Sequence, residues 1–313
     1  MRTLSRRQFT RLAAAAPLLS RGADLDGPMP TRLLGKTGFR ASIVGLGAGH
    51  FTGKTLEQST VDRTVAEGIE HGLNYIDTAR GYGLSEERLG RALKGKRDKV
   101  FLVTKTRSAT RDAAMKDLTE SLRNLQTDYL DCVLIHNISR EERFPNFEET
   151  LSEKGALGAL LEAKKQGMIR HIGCSAHTHM ARVLRAFQTG EIALFMPILN
   201  FVERHIYDFE AKVLPEARRR NIAIVAMKVL GGANGDAGAR LSAQEDYSAA
   251  LRFAWGVPGV AVVNLGMRSP EELRQALAAA KAYKALSAAE SKALTERGKR
   301  LAAEWGATRG PVS

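Results

Sequence analysis

Four residues between positions 77 and 136 are of types that together can move a proton to a carbonyl oxygen: Asp77, Tyr82, Lys105 and His136. Each ends or follows a short apolar run. A phenol titrates near pH ~10, and a neighbouring ammonium favours the phenolate, which makes the tyrosine a stronger acid. Lys105 is the candidate ammonium for Tyr82. Asp77 can pair with Lys105 and offset its burial, and His136 can donate a hydrogen bond to the oxygen as charge forms on it. No side chain donates hydride, so carbonyl reduction at such a site implies a nicotinamide cofactor.

The elements that must bring these residues together can be read from the hydrophobic pattern. Apolar runs recur at Ile43–Leu46, Leu73–Asp77, Val100–Lys105, Leu130–His136, Ile169–Ser175, Leu194–Asn200, Ile222–Met227 and Val260–Gly266. Helical periodicity fills most of the gaps. Ser85 is placed to cap a helix that carries Glu86 and Glu87 in its first turn and Leu89 and Leu93 on its buried face. A second helix is expected near Asp112–Leu125, and a third near Phe147–Gln166 with Gly167 at its end. Eight strand–helix units predict an α/β fold, a (β/α)8 TIM barrel. Pro197 counts against the sixth strand. An N-terminal β-hairpin is expected from Thr31–Leu34 and Phe39–Ile43 around Gly35–Gly38, and a C-terminal helix near Ala288–Trp305. Barrel active sites lie at the C-terminal ends of the strands, where Asp77, Tyr82, Lys105 and His136 all fall. A doubly wound open sheet would want a glycine-rich phosphate turn after its first strand; Gly45–Gly49 is glycine-rich without matching that fingerprint.

Composition narrows the class. The 313 residues carry a formal net charge of +13, and the 44% hydrophobic content is that of a globular protein. Arg2, Arg6, Arg7, Arg11 and Arg21 supply part of that charge. The rest stays net positive, which favours anionic ligands such as nucleotides. The basic residues are scattered and no nucleic-acid-binding motif is present, so nucleic acid is not expected as a partner. No apolar run reaches the ~18 residues of a membrane span. Cys132 and Cys174 sit in strand-like runs and read as buried thiols, with no disulfide framework or metal signature.

Residues 1–30 read as a targeting segment and linker ahead of a barrel domain over residues 31–313. The run Ser5-Arg6-Arg7-Gln8-Phe9 precedes an Ala- and Leu-rich stretch and resembles a twin-arginine signal. The resemblance implies the twin-arginine export machinery as a partner and a periplasmic location, or a cytoplasmic one where the signal is not used. Ala23 is a candidate cleavage position, although Arg21 stands where a small residue is expected. Gly22, Gly27, Pro28 and Pro30 mark the linker.

Residues Asn74 to Gly83 (Asn-Tyr-Ile-Asp-Thr-Ala-Arg-Gly-Tyr-Gly), followed by Ser85-Glu86, resemble the signature of the aldo-keto reductases. So do Ile172–Ser175 and Ala226–Gly232, and the likeness spans roughly residues 31–285. The resemblance implies NADPH-linked reduction of an aldehyde or ketone, with Asp77, Tyr82, Lys105 and His136 as the catalytic set and Tyr82 as general acid. It also implies cofactor contacts. Ser175 matches a serine that touches the carboxamide, although Ala176 replaces the usual Asn. Met196 stands at the family's Gln, and Met227 at its stacking Tyr. Asn200 is expected to line the mouth, and Lys228 to add positive charge near the cofactor. Gly266, Arg268, Ser269 and Glu272 match the adenosine-phosphate segment. Arg268 and Ser269 suit a 2′-phosphate, whereas a carboxylate at Glu272 would repel one and suits a ribose hydroxyl, so NADP is favoured and NAD is possible.

Three smaller features complete the reading. His171, His177 and His179 cluster without the acidic or thiol partners of a metal site, so no metal is expected. The glycine-rich loop Gly231–Gly238 is a candidate lid. The segment Asn137–Asn146, with Phe144, is a candidate pocket wall. The competing functional class is a cofactor-binding sensor or accessory subunit on the same barrel with little turnover.

Overall fold

Eight short runs rich in Val, Ile, Leu and Ala pair as parallel strands and close on themselves. They are β3 (Val44–Gly47), β4 (Tyr75–Asp77), β5 (Phe101–Thr106), β6 (Leu130–Ile135), β7 (Ile169–Ala176), β8 (Ile192–Pro197), β9 (Ala223–Ala226) and β10 (Val260–Gly266). Strand β10 pairs with both β9 and β3, which completes the barrel. In this computed structural model the described residues are 25–53, 55–232, 239–241 and 244–312, except for the side chains of 244 and 245. The twin-arginine-like run lies outside them.

The principal helices between strands are α1 (Gln58–Glu70), α2 (Ser85–Ala92), α3 (Arg111–Leu125), α4 (Phe147–Thr150), α5 (Ala156–Lys165), α6 (Met180–Gln188), α7 (Phe209–Lys212), α8 (Leu214–Arg219), α9 (Gln244–Gly256), α10 (Pro270–Lys281) and α11 (Ala288–Trp305). No helix among the described residues is long and apolar enough to cross a membrane. Two expectations need correction. The third helix is two helices, broken before Gly155, where the backbone passes so close to Glu149 and Thr150 that a Cβ would collide with both. Ser85 is not a cap. It opens α2, and its hydroxyl donates to the Ala48 carbonyl (2.9 Å) and accepts from Thr78 Oγ1 (2.8 Å). Pro197 is tolerated because it ends β8, where its carbonyl accepts from Met227 N at 2.9 Å.

Two apolar layers follow from strand alternation. The outer layer packs strands against helices. The inner one fills the barrel with Tyr75, Phe101, Val103, Cys132, Leu134, Leu194, Met196, Val225 and Val262, among others. The hairpin β1 (Thr31–Leu33) and β2 (Arg40–Ser42) closes the N-terminal end. Leu34 and Ala41 join the inner layer, Phe39 packs on Phe101 at 5.1 Å, and Lys36 N donates to the Asn221 carbonyl at 2.7 Å. Residues 25–30 are docked rather than loose, since Lys281 Nζ donates to the carbonyls of Leu25 (2.5 Å) and Gly27 (2.9 Å).

Candidate active site

Inward parity carries straight from the plugged end to the open one. Tyr75 points in, so Asp77 does. Phe101 and Val103 point in, so Lys105 does. Cys132 and Leu134 precede His136, and Val262 precedes Asn264. The barrel is therefore apolar for two layers and then ends on a polar ring.

At the centre of that ring Lys105 is 2% exposed and Asp77 3%. Lys105 Nζ donates to Asp77 Oδ2 and to the Thr78 carbonyl, both at 2.6 Å. Asn264 Nδ2 donates to the same Asp77 oxygen at 3.1 Å. Burial works to discharge Lys105, but attraction to Asp77 and Tyr82 outweighs it and holds its pKa above the ordinary value. Burial raises Asp77, and Lys105 and Asn264 oppose that rise. The short contact and the raised ammonium favour the ionised pair.

The ammonium lies 4.9 Å from the centre of the Tyr82 ring. His136 stands edge-on to the same ring at 5.7 Å and 85°. Tyr82 is carried by the turn after β4, where Tyr82 N donates to the Ala79 carbonyl at 2.9 Å. Gly49, with no side chain, leaves room over the ring. Burial and the nearby Lys105, Arg107 and Arg143 push His136 well below its ordinary pKa, so it is neutral at pH 7. Its Nδ1 is buried without a partner. The proton is thus better placed on Nε2, from which it can be donated to a ligand oxygen.

The residues expected to hold a cofactor divide into two groups. Ser175 is buried, and its hydroxyl accepts from Asn137 N at 2.9 Å, bracing the loop after β6. Asn200 needs correction: it is fully buried and its amide is engaged within the protein. It donates to Glu203 and to the Lys228 carbonyl (3.0 Å), and accepts from Val202 N (3.0 Å) and Glu203 N (2.8 Å). It joins the loops after β8 and β9 and has no donor or acceptor left for a ligand. Met196 lies in the barrel interior, and Met227 caps it, half-buried.

The second group sits toward β9 and β10. Lys228, in a left-handed backbone conformation, has its charge opposed by burial and by Arg309. Gly266 has His50 against it, so that a Cβ would meet the imidazole ring. Ser269 caps α10 through a bond from Glu272 N (3.4 Å). Glu272 does not face outward as a free acid. It accepts from Arg268 N (2.7 Å) and from the Arg268 guanidinium (2.8 and 3.0 Å). The charges felt at His50 are those of Arg268, Glu272, Lys228 and Arg240.

Three other features are placed as follows. Phe144 is fully buried in the outer core. His171 stacks on Phe101 at 6.1 Å, toward the plugged end, so it does not meet His177 or His179; no group of three metal-ligating side chains occurs among the described residues. The base of the Gly231–Gly238 loop is a short antiparallel bridge, Gly231 to Arg240, and residues 233–238 lie outside the described set. Two polar residues of the ring were missed. Asn264 has the inward parity of Val262, a signal present in the sequence. Arg309 pairs with Glu203 and donates to the Gly232 carbonyl (3.2 Å), so the C-terminal segment lies across the loops after β8 and β9; no local pattern announces that contact.

A closed barrel of eight parallel strands, plugged at one end and gathering an ion pair, a phenol and a neutral imidazole at the other, is a (β/α)8 barrel of the TIM type. More narrowly, the chain belongs to the aldo/keto reductase family, whose model matches residues 43–236. It is 33% identical over 205 residues to the aldo-keto reductase YhdN of Bacillus subtilis, covering 59% of this chain and 57% of that protein. It is 31% identical over 196 residues to the methylglyoxal reductase DkgB of Salmonella typhi, covering 60% and 67%. The chain thus matches well under the full length of these relatives. Among solved structures, an aldo-keto reductase from Klebsiella pneumoniae in complex with NADPH superimposes with a TM-score of 0.66 at 26% identity, over 87% of this chain and 95% of that one.

Proposed function

We propose that the protein reduces an aldehyde or ketone to the alcohol, using NADP(H), with Tyr82 as proton donor. The observation that carries this reading is the buried Lys105 ammonium, fixed by Asp77 and Thr78 and lying beside the Tyr82 ring. The nicotinamide cofactor, when bound, supplies the hydride. Tyr82 then gives its proton to the carbonyl oxygen, and the Lys105 ammonium stabilises the phenolate left behind. Asp77 keeps that ammonium charged and aimed. His136 donates from Nε2 to the same oxygen as negative charge grows on it. Asn264 fixes Asp77 in turn.

The residues present fit a dinucleotide. Lys228, Arg240 and Arg268 outnumber Glu272 around His50, a donor set suited to phosphates, and Gly266 ends β10 just ahead of Ser269, the N-cap of α10. NADP(H) is favoured by family membership and by the NADPH-bound neighbour from Klebsiella pneumoniae. Ser175, Met227, Lys228, Gly266, Arg268 and Ser269 are the side of the mouth that would hold it. We also assign residues 1–30 to a twin-arginine signal and linker. Fractionation of the native host tests that assignment, and full-length protein confined to the cytoplasm would overturn it.

The test of activity is a single-turnover assay on protein lacking residues 1–24. The protein is mixed with NADPH or NADH and a panel of small aldehydes and ketones, with Tyr82→Phe in parallel. Oxidation that Tyr82→Phe abolishes is the expected result. Tight cofactor binding without oxidation would instead make the barrel a sensor.

A further inference from the structure

We infer that Arg107 and Arg143 form a carboxylate-recognition site beside Tyr82 and His136, so that the substrate is a short oxo acid rather than a neutral carbonyl compound. The inference rests on the reductase reading for its turnover, and on geometry for its anion.

Strand β5 ends at the buried Thr106, and Arg107 follows it into the mouth, exposed. Its guanidinium lies directly on Gly81, where any Cβ would collide with it, and Gly81 is the residue before Tyr82. The glycine is therefore what lets the guanidinium lie flat against the Tyr82 turn. Arg143 comes from the loop after β6 and donates to the His136 carbonyl at 3.1 Å. That loop is pinned by Arg182, which donates to the carbonyls of Ile138 and Phe144, each at 3.2 Å. The two arginines flank the phenol and the imidazole from β5 and β6.

Neither has a carboxylate partner among the described residues. Other arginines of this region do: Arg80 pairs with Glu120 at 2.6 Å and Arg97 with Asp131 at 2.7 Å. Arg107 and Arg143 instead repel one another, and both their charges act on His136. Glu142 is the acid acting on Arg143, and it stands well out in solvent, 3.7 Å from Arg140. Two guanidiniums at the ends of adjacent strands, one against the Tyr82 turn and one on the His136 carbonyl, are stabilised by an anion that both can reach, and planar carboxylate suits their forked donors. The cofactor's phosphates do not supply that anion, because the cations suited to them, Lys228, Arg240 and Arg268, gather toward β9 and β10. An anion at Arg107 and Arg143 would place a carbonyl a few atoms away within reach of Tyr82.

The experiment compares 4-oxobutanoate with butanal, in wild type and in Arg107→Met and Arg143→Met. Wild type is expected to favour the oxo acid in kcat/KM by about tenfold or more, mainly through KM, and each variant to reduce that ratio by about tenfold. Arg107→Lys should restore part of it, and added salt should weaken it. A wild-type ratio near one, or a ratio unmoved in both variants, overturns the proposal. Binding is read apart from turnover by the unfolding temperature in succinate against succinamide. A rise with succinate that both variants lose supports the site, and no rise overturns it. Succinate binding without reduction of either aldehyde would leave the anion site standing and remove the reductase reading.

Discussion

The two ends of the barrel interior are built on one alternation and do opposite things. At the N-terminal end Tyr75, Phe101, Leu34 and Phe39 stack into a dry plug. Further along the inward alternation the residues turn polar: Asp77 two residues after Tyr75, Lys105 four after Phe101, and His136 two after Leu134. The plug gains from every apolar contact. The mouth holds an ion pair that water would solvate better, and an imidazole nitrogen with no partner. The lower layers supply the stability that lets the upper one be costly, so each end should answer differently to the same kind of substitution.

The largest effect is expected at the mouth. Lys105→Met should lower kcat by about 10²- to 10⁴-fold, the usual worth of positioned proton transfer. It should also destabilise by about 3–5 kcal/mol, because Asp77 is left buried without its partner. Adding Asp77→Asn to Lys105→Met should regain much of that stability and none of the rate. Urea midpoints and single-turnover rates on the same preparations check both parts. Recovery of rate in the double variant would sink the assigned role of Lys105.

At the plug the dissociation runs the other way. Phe101→Ala opens a cavity among Phe39, Tyr75 and His171 and should cost about 3–5 kcal/mol. Turnover of the folded fraction should change little, since Phe101 lies two inward positions below Lys105 on β5. A loss of kcat as large as that of Lys105→Met, in fully folded protein, would mean that the ends are not independent.

Acid should act on the mouth before the plug. His177 is pushed down to about 3 by burial and by Arg309, Lys228, Arg140 and Arg143, and His136 is also held well below 6.5. Between pH ~6.5 and ~3 the unfolded chain binds protons at both residues that the folded one refuses. Stability therefore rises with pH through that window and levels off above it. Asp77, raised by burial, works in the opposite direction near its own titration. Urea midpoints at pH 7, 5.5 and 4 should fall in that order, and His177→Gln should flatten the decline.

The mouth was also the more legible end. Asp77, Lys105 and His136 could be placed because strand parity and strand ends are local properties, and Asn264 obeys the same rule. Asn200 misled because a buried amide beside a strand end looks the same in sequence whether it faces a ligand or ties two loops. Its partners, Lys228 and Glu203, depend on how β8 and β9 meet. Arg309 was invisible for the same reason, since its contact with Glu203 spans 106 residues. The break before Gly155 was hidden because continuous helical periodicity cannot reveal a backbone collision.

The smallest effect, and the one that refines the comparison, is expected at the edge of the mouth. Glu272 was expected to repel a 2′-phosphate, yet it holds Arg268 by main chain and guanidinium together. Such a pair does two things at once: it fixes the arginine near α10, and it cancels part of the charge a phosphate would meet. Arg268 is largely exposed, so the pair itself contributes little to stability. Glu272→Gln should leave the unfolding temperature nearly unchanged while freeing one guanidinium charge. The ratio of KM for NADH to that for NADPH should rise by about three- to tenfold, on the scale of one charge-assisted hydrogen bond at a solvated site. A fall in that ratio would mean that positioning of Arg268 by Glu272 outweighs neutralisation, and that the carboxylate serves NADPH rather than opposing it.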